Sequence, residues 1–88
     1  MNAVFRRSFT RDLRKIKQRQ VLTSVQRAIE NVEAVNSPTD IVNLKKLVGY
    51  DIFYRIRIGE YRIGIVIEGD EVDFVRCLHR RDLYRYFP

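Results

Sequence analysis

The hydrophobic positions of this chain follow two periods in succession. Between about Thr10 and Val35 the apolar residues Leu13 and Ile16, then Leu22, Val25, Ile29 and Val32, recur at intervals of three and four with no Pro or Gly among them. That spacing belongs to helices buried along one face. The pattern lapses from Lys17 to Gln20, so the segment reads as two helices folded back as a hairpin, the first the more basic, behind a short strand around Ala3 to Arg6. Asn36-Ser37-Pro38-Thr39-Asp40 gathers turn formers around a proline and ends the second helix, and Ile41 to Gly49 reads as a linking segment.

From Tyr50 the period becomes two. Ile52, Tyr54, Ile56 and Ile58 alternate with Phe53, Arg55 and Arg57, and after Gly59-Glu60 the residues Tyr61, Ile63, Ile65 and Ile67 alternate with Arg62, Gly64 and Val66. Gly59-Glu60 and Gly69-Asp70 both suit two-residue hairpin turns with glycine first, which predicts a third strand from Glu71 to about Leu78. The fold class expected is therefore α+β: a short N-terminal strand, a two-helix hairpin, then a three-stranded antiparallel meander forming one sheet packed on the helices. Residues 1–88 read as a single domain, because a chain of 88 residues has room for one core.

The first turn also sets a register. A two-residue loop at Gly59-Glu60 places Ile58 opposite Tyr61, Ile56 opposite Ile63 and Arg57 opposite Arg62. One face is then Ile and Tyr, while the other gathers Arg55, Arg57 and Arg62. Arginine alternating with isoleucine is ordinarily a solvated face, but like charges facing each other across a ladder repel, and an anion between them removes the repulsion. Continued through the second turn, strict alternation sends Val75, Cys77 and His79 to the arginine face and Val72, Phe74 and Leu78 to the apolar one. Arg76 then falls among core residues, which calls for an edge position or a bulge.

Charge sharpens this picture. Lys and Arg number 17 against 11 Asp and Glu, a net +6, and residues 1–27 alone carry eight cations against Asp12. Thirteen of the 17 cations are Arg, whose planar fork grips phosphate bidentately, so the chain suits a polyanionic partner. The closing run His79-Arg80-Arg81-Asp82-Leu83-Tyr84-Arg85-Tyr86 adds arginines and tyrosines beside the arginine face. Guanidinium on phosphate and aromatic rings on unpaired bases are the means of gripping single-stranded RNA. One cysteine and one histidine offer no disulfide, no tetrahedral metal set and no pair of imidazoles for acid and base. Phosphate-cradling glycine loops and nucleophile elbows are absent from the sequence, as are long apolar runs. No cofactor, metal or membrane is expected, and a reducing cytoplasm fits.

The segment Leu44-Lys45-Lys46-Leu47-Val48-Gly49, followed by Tyr54-Arg55-Ile56-Arg57-Ile58-Gly59-Glu60-Tyr61-Arg62 and then His79-Arg80-Arg81-Asp82-Leu83-Tyr84-Arg85, resembles the RelE/ParE superfamily of toxins from toxin–antitoxin pairs. In the RelE branch the resemblance implies ribosome-dependent cleavage of messenger RNA in the decoding site. There the ribose 2′-OH attacks the adjacent phosphate, leaving a 2′,3′-cyclic phosphate and a 5′-OH. It implies Arg62 and Arg81 on the phosphorane, Arg55 and Arg57 on flanking phosphates, and Tyr84 in stacking or proton transfer, with His79, Arg80, Lys45 and Lys46 as substrate contacts. RelE members carry lysines where this chain has Arg55 and Arg57, and arginine keeps its proton at any working pH, so the general base is left unassigned. The resemblance further implies an acidic antitoxin, with messenger and ribosomal RNA as the other partners. The ParE branch, which shares the fold and inhibits DNA gyrase without cutting, and a non-catalytic RNA-binding module are the alternatives.

Overall fold

The computed structural model describes residues 1–88. Its strands are β1 (Asn2–Phe5), β2 (Leu44–Lys46), β3 (Phe53–Ile58), β4 (Tyr61–Glu68) and β5 (Glu71–His79), and they form one sheet in the order β1-β5-β4-β3-β2. Helices α1 (Arg7–Lys15) and α2 (Arg19–Ala34) lie against one face of it, and a single helical turn, α3 (Leu83–Tyr86), lies against the other.

The α+β class and the β3-β4-β5 meander agree with the sequence reading, but the meander is only the middle of a five-stranded mixed sheet. β1 pairs in parallel with β5, Asn2 opposite Glu71 through Phe5 opposite Phe74. β2 adds Leu44, Lys45 and Lys46 antiparallel to β3 inside the segment read as a linker. Three residues with two exposed lysines carry no period-two signal, and lysines on a short edge strand discourage further strand pairing. The helices also depart from a self-packed hairpin: α1 makes its main contacts with β5, and α2 with β1 and β3. Both turns are as expected, with Gly59 and Gly69 in the left-handed region at φ 62° and 59°, and the β3-β4 register matches the one derived from Gly59-Glu60.

The second ladder slips once. Gly64 faces Arg76 while Ile65 faces Phe74, which leaves Val75 as the extra residue of a β-bulge. Every side chain beyond it changes face relative to strict alternation. Cys77 is therefore buried in the helix-side core with Ile63, Phe74, Phe9 and Val25, whereas Val75 and Leu78 join a smaller cluster on the opposite face under Leu83 and Phe87. His79 lies opposite Tyr61, its ring edge-on to the tyrosine at 5.6 Å, on the helix side rather than on the arginine face.

The bulge has a second consequence. β1 covers the edge of β5 only as far as Phe74, so the next backbone groups need other partners. α1 supplies them. The Ser8 hydroxyl donates to the Val75 carbonyl, and the Asp12 carboxylate accepts the Cys77 N–H at 2.9 Å. Arg76 reaches round this edge and donates to both carboxylate oxygens of Asp12, at 2.8 and 3.1 Å. Hydrogen bonding to Asp12 raises the Arg76 pKa against the opposing effect of burial.

Asp12 is 5% exposed, and its removal leaves Arg76 and the Cys77 N–H without a partner. Asp12→Ala should therefore cost about 3 kcal/mol in urea denaturation, and Asp12→Asn, which keeps an acceptor, distinctly less. Burial, assisted by the Asp12 charge, pushes the Cys77 thiol up to about 12. The native thiol should be inert to a disulfide reagent at pH 8 and react freely once the chain is unfolded. Because the raised pKa belongs to the folded state, stability present below the ordinary thiol pKa should fall as pH climbs from there towards 12, which alkaline denaturation monitors.

Candidate nucleic-acid interface

The face of the sheet away from α1 and α2 divides into two halves. Leu47 and Phe53 on the β2-β3 side, with Val75 and Leu78 of β5, are covered by Leu83 and Phe87 of the C-terminal segment. The rest is cationic. Lys45 stands opposite Arg55, and Arg57 stands opposite Arg62. Lys46, one residue on, takes the other face of β2 opposite Tyr54, whose ring packs on the helix-side core.

Gly64 explains how the two halves meet. It occupies the outward position between Arg55 and Arg76, and a Cβ there would lie 2.8 Å from the Phe87 ring. Its missing side chain lets Phe87 sit directly on the sheet. Phe53 then meets Phe87 edge-on at 5.6 Å, and Tyr50 meets Phe53 edge-on at 5.4 Å, an aromatic ladder climbing from the sheet into the β2-β3 loop. Beside it, the Arg76 guanidinium lies 5.6 Å from the centre of the Tyr86 ring, so the Asp12-Arg76 joint also steadies α3.

Arg62 is the centre of the cationic half. It is half-buried, and its guanidinium donates only to neutral carbonyls, those of Gly59 at 2.8 Å and Tyr61 at 2.9 Å. Burial lowers its pKa, the charges of Arg55, Arg57 and Arg80 lower it further, and Tyr84 opposes them. The group stays protonated at working pH, so the repulsion is standing electrostatic tension that an anion relieves. Arg55 likewise donates to a neutral carbonyl, that of Asn43, at 3.1 Å. The ion pairs of the molecule are Arg6 with Asp73, Arg76 with Asp12 and Arg80 with Glu60, so Arg55, Arg57, Arg62 and Arg81 have no carboxylate partner.

The sequence-derived set is thus partly assembled. Arg55, Arg57, Arg80 and Tyr84 all lie close enough to act on Arg62 across this face, with Lys45 at its margin. Arg81 is exposed in the turn before α3, its backbone N–H donating to His79 Nδ1 at 3.3 Å, and it is the charge of Arg80 that bears on Arg62. His79 lines a depression with Gln18, Val21 and Tyr61 on the far side of the sheet. Gly64, Arg76 and Tyr86 were not among the site residues expected from the sequence, although Arg76 stood out there as a charge at a core position. The available signal was the lone glycine inside an alternating strand, which marks a close approach.

A second depression, about 600 Å³, lies between α2 and the edge of β3 beyond the end of β2, and is lined by Arg27, Ala28, Asn31, Val42 and Ile58 among others. No three of the His, Cys, Asp and Glu side chains converge as metal ligands, and no helix is long and apolar enough to cross a membrane.

Comparison with known proteins adds four findings. The family model for the ParE toxin of type II toxin–antitoxin systems matches residues 3–84. Toxin RelE3 of Methanocaldococcus jannaschii is 39% identical over 89 residues, covering 100% of both chains. Among solved structures, a chain of the RelB–RelE antitoxin–toxin complex from Methanococcus jannaschii superposes with a TM-score of 0.81 at 38% identity, covering 97% of this chain and 99% of that one. A chain of the archaeal RelE–RelB complex from Pyrococcus horikoshii, at 16% identity and a TM-score of 0.70 over 90% of this chain and 93% of that one, shares the fold.

The Gly64 contact is directly testable. Gly64→Ala should push Phe87 off the sheet at a cost of about 1–3 kcal/mol. Amide exchange should rise first in residues 83–87, with the helix-side core still protected.

Proposed function

The chain belongs to the RelE/ParE superfamily of toxins of type II toxin–antitoxin systems, and from that premise we propose that it is a metal-independent endoribonuclease acting on messenger RNA in the ribosomal decoding site. The observation that carries this reading is Arg62, half-buried, bonded only to neutral carbonyls and ringed by Arg55, Arg57, Arg80 and Tyr84. A site held in that state is prepared for a phosphate bearing more negative charge than a resting diester, as a five-coordinate phosphorane does.

In the proposed reaction the 2′-OH oxygen forms a bond to the adjacent phosphorus and gives up its proton. The bond from phosphorus to the 5′ oxygen breaks, that oxygen takes a proton, and the products are a 2′,3′-cyclic phosphate and a 5′-OH. Arg62 and Arg81 are assigned to the phosphorane, Arg55 and Arg57 to the flanking phosphates, and Arg80 and Lys45 to the chain on either side. Tyr84, the phenol nearest this cationic group, takes the stacking or proton-transfer role. The remaining contribution is in-line geometry, which we assign to the ribosome holding the messenger. His79, facing α2, is not given a proton-transfer role.

We place a restraining antitoxin on this chain as well, through an acidic, amphipathic segment laid on the basic α1 surface and in the groove between α2 and the β3 edge. The cytoplasm is the compartment in which such a partner and translating ribosomes meet. A second reading, inhibition of DNA gyrase by binding, is kept because the matching family model is that of the ParE toxin.

Incubation with translating ribosomes followed by mapping of RNA ends separates these readings. Cuts within codons carry the nuclease, whereas inhibited supercoiling with intact RNA carries the gyrase reading. Arg62→Ala and Arg81→Ala should each lower cleavage about 100- to 1000-fold and abolish toxicity while the protein remains folded. Full toxicity in both variants overturns the assignment.

A further inference from the structure

The aromatic ladder ends in a feature that the cleavage chemistry does not use. A depression of about 350 Å³ opens between the β2-β3 loop and α3, lined by Lys45, Lys46, Val48, Tyr50 and Tyr84 over a floor that includes Phe87. Tyr84 is 67% exposed, Tyr50 46% and Val48 92%, so three large apolar side chains face water around one hollow. Such exposure is costly unless something flat and apolar fills it. The Tyr50 ring is nevertheless held: it rests edge-on against Phe53, Phe53 against Phe87, and Phe87 against Gly64, so little ordering of that ring remains to be done when a ligand enters.

The charge around the hollow selects the ligand. Lys45 has no carboxylate partner and stands directly opposite Arg55, the near member of the arginine cluster, whereas the Lys46 side chain takes the other face of β2. An aromatic hollow with an ammonium rim that runs into an unpaired guanidinium row fits a flat ring system attached to a phosphate chain. We propose that this depression is a slot for one unpaired nucleobase of single-stranded RNA, stacked against Tyr50 and Tyr84, while the neighbouring phosphates lie on Lys45 and the Arg55-Arg57-Arg62 row. The inference rests on the reading of this face as an RNA site and adds the base-binding element, Tyr50 with Val48, on a loop outside the arginine cluster. An apolar side chain of a protein partner is the competing occupant, and the test below distinguishes it.

The chain has no Trp, so a 2-aminopurine base in a short single-stranded RNA reports on stacking without interference. With 2′-O-methyl riboses that block cleavage, binding to the wild-type protein should quench the 2-aminopurine emission. Tyr50→Ala should remove the quenching and weaken binding about 10- to 100-fold, while Tyr50→Phe keeps both. Arg62→Ala should weaken binding yet leave the quenching at saturation intact, because it removes a phosphate contact and not a ring. Unchanged quenching and affinity in Tyr50→Ala overturns the slot, as does a wild-type protein that binds the oligomer without quenching, the result expected if the hollow is reserved for protein. The nuclease reading fails separately: Tyr50-dependent quenching without ribosomal cleavage keeps the slot and removes the enzyme, and cleavage insensitive to Tyr50 does the reverse.

Discussion

The joint on which this molecule turns is a single buried carboxylate. Asp12 accepts the Cys77 N–H and both arms of the Arg76 fork at the place where β1 stops covering β5. Without it an arginine and a backbone donor would be left unpaired where the sheet edge meets α1, a situation that costs more than the pair itself gains. With it, α1 serves as a replacement strand for the far end of β5, and the β-bulge at Val75 becomes tolerable. Arg76 extends the joint to Tyr86, so one ion pair links the helix layer, the sheet and α3.

The bulge also decides what each face of the sheet is made of. By exchanging faces after Val75 it buries Cys77 under the helices and turns Leu78 towards Phe87 and Leu83. An apolar platform for α3 results beside a row of arginines, on a face that would otherwise be cationic from end to end. Gly64 lets the platform close. Arg55 and Arg62 are left with backbone carbonyls for partners, Arg62 bonding to the turn at Gly59, and the repulsion Arg55 and Arg57 exert on Arg62 is unrelieved in the free protein. A phosphate chain is the ligand that such a row lowers in energy most, because it brings several charges at a spacing that separate guanidinium groups meet one by one.

Much of this was legible in the residues. The periods of three to four and of two located both helices and the three long strands, and Gly59-Glu60 fixed which arginines face one another. What was not legible depended on contacts between segments far apart in the chain. β2 has only Leu44-Lys45-Lys46 to announce it and exists because β3 offers an open edge. β1 joins β5 across some seventy residues of intervening sequence, which no local pattern encodes. Arg76 stood out as a charge at a core position, yet its partner Asp12 lay in another element, so the misfit was visible and its solution was not.

The same division holds for the site. The sequence by itself determined the secondary elements, the hairpin register, and the presence of Arg55, Arg57 and Arg62 on one face, since local backbone preference and a two-residue turn suffice for these. Only the tertiary structure decided that His79 leaves that face, that Arg80 rather than Arg81 bears on Arg62, and that Tyr50 and Tyr84 come to share one hollow. A one-residue bulge inverts every side chain beyond it, and whether a strand bulges is settled by which arrangement satisfies the edge and fills the core. That balance is a property of the packed molecule rather than of any stretch of its chain.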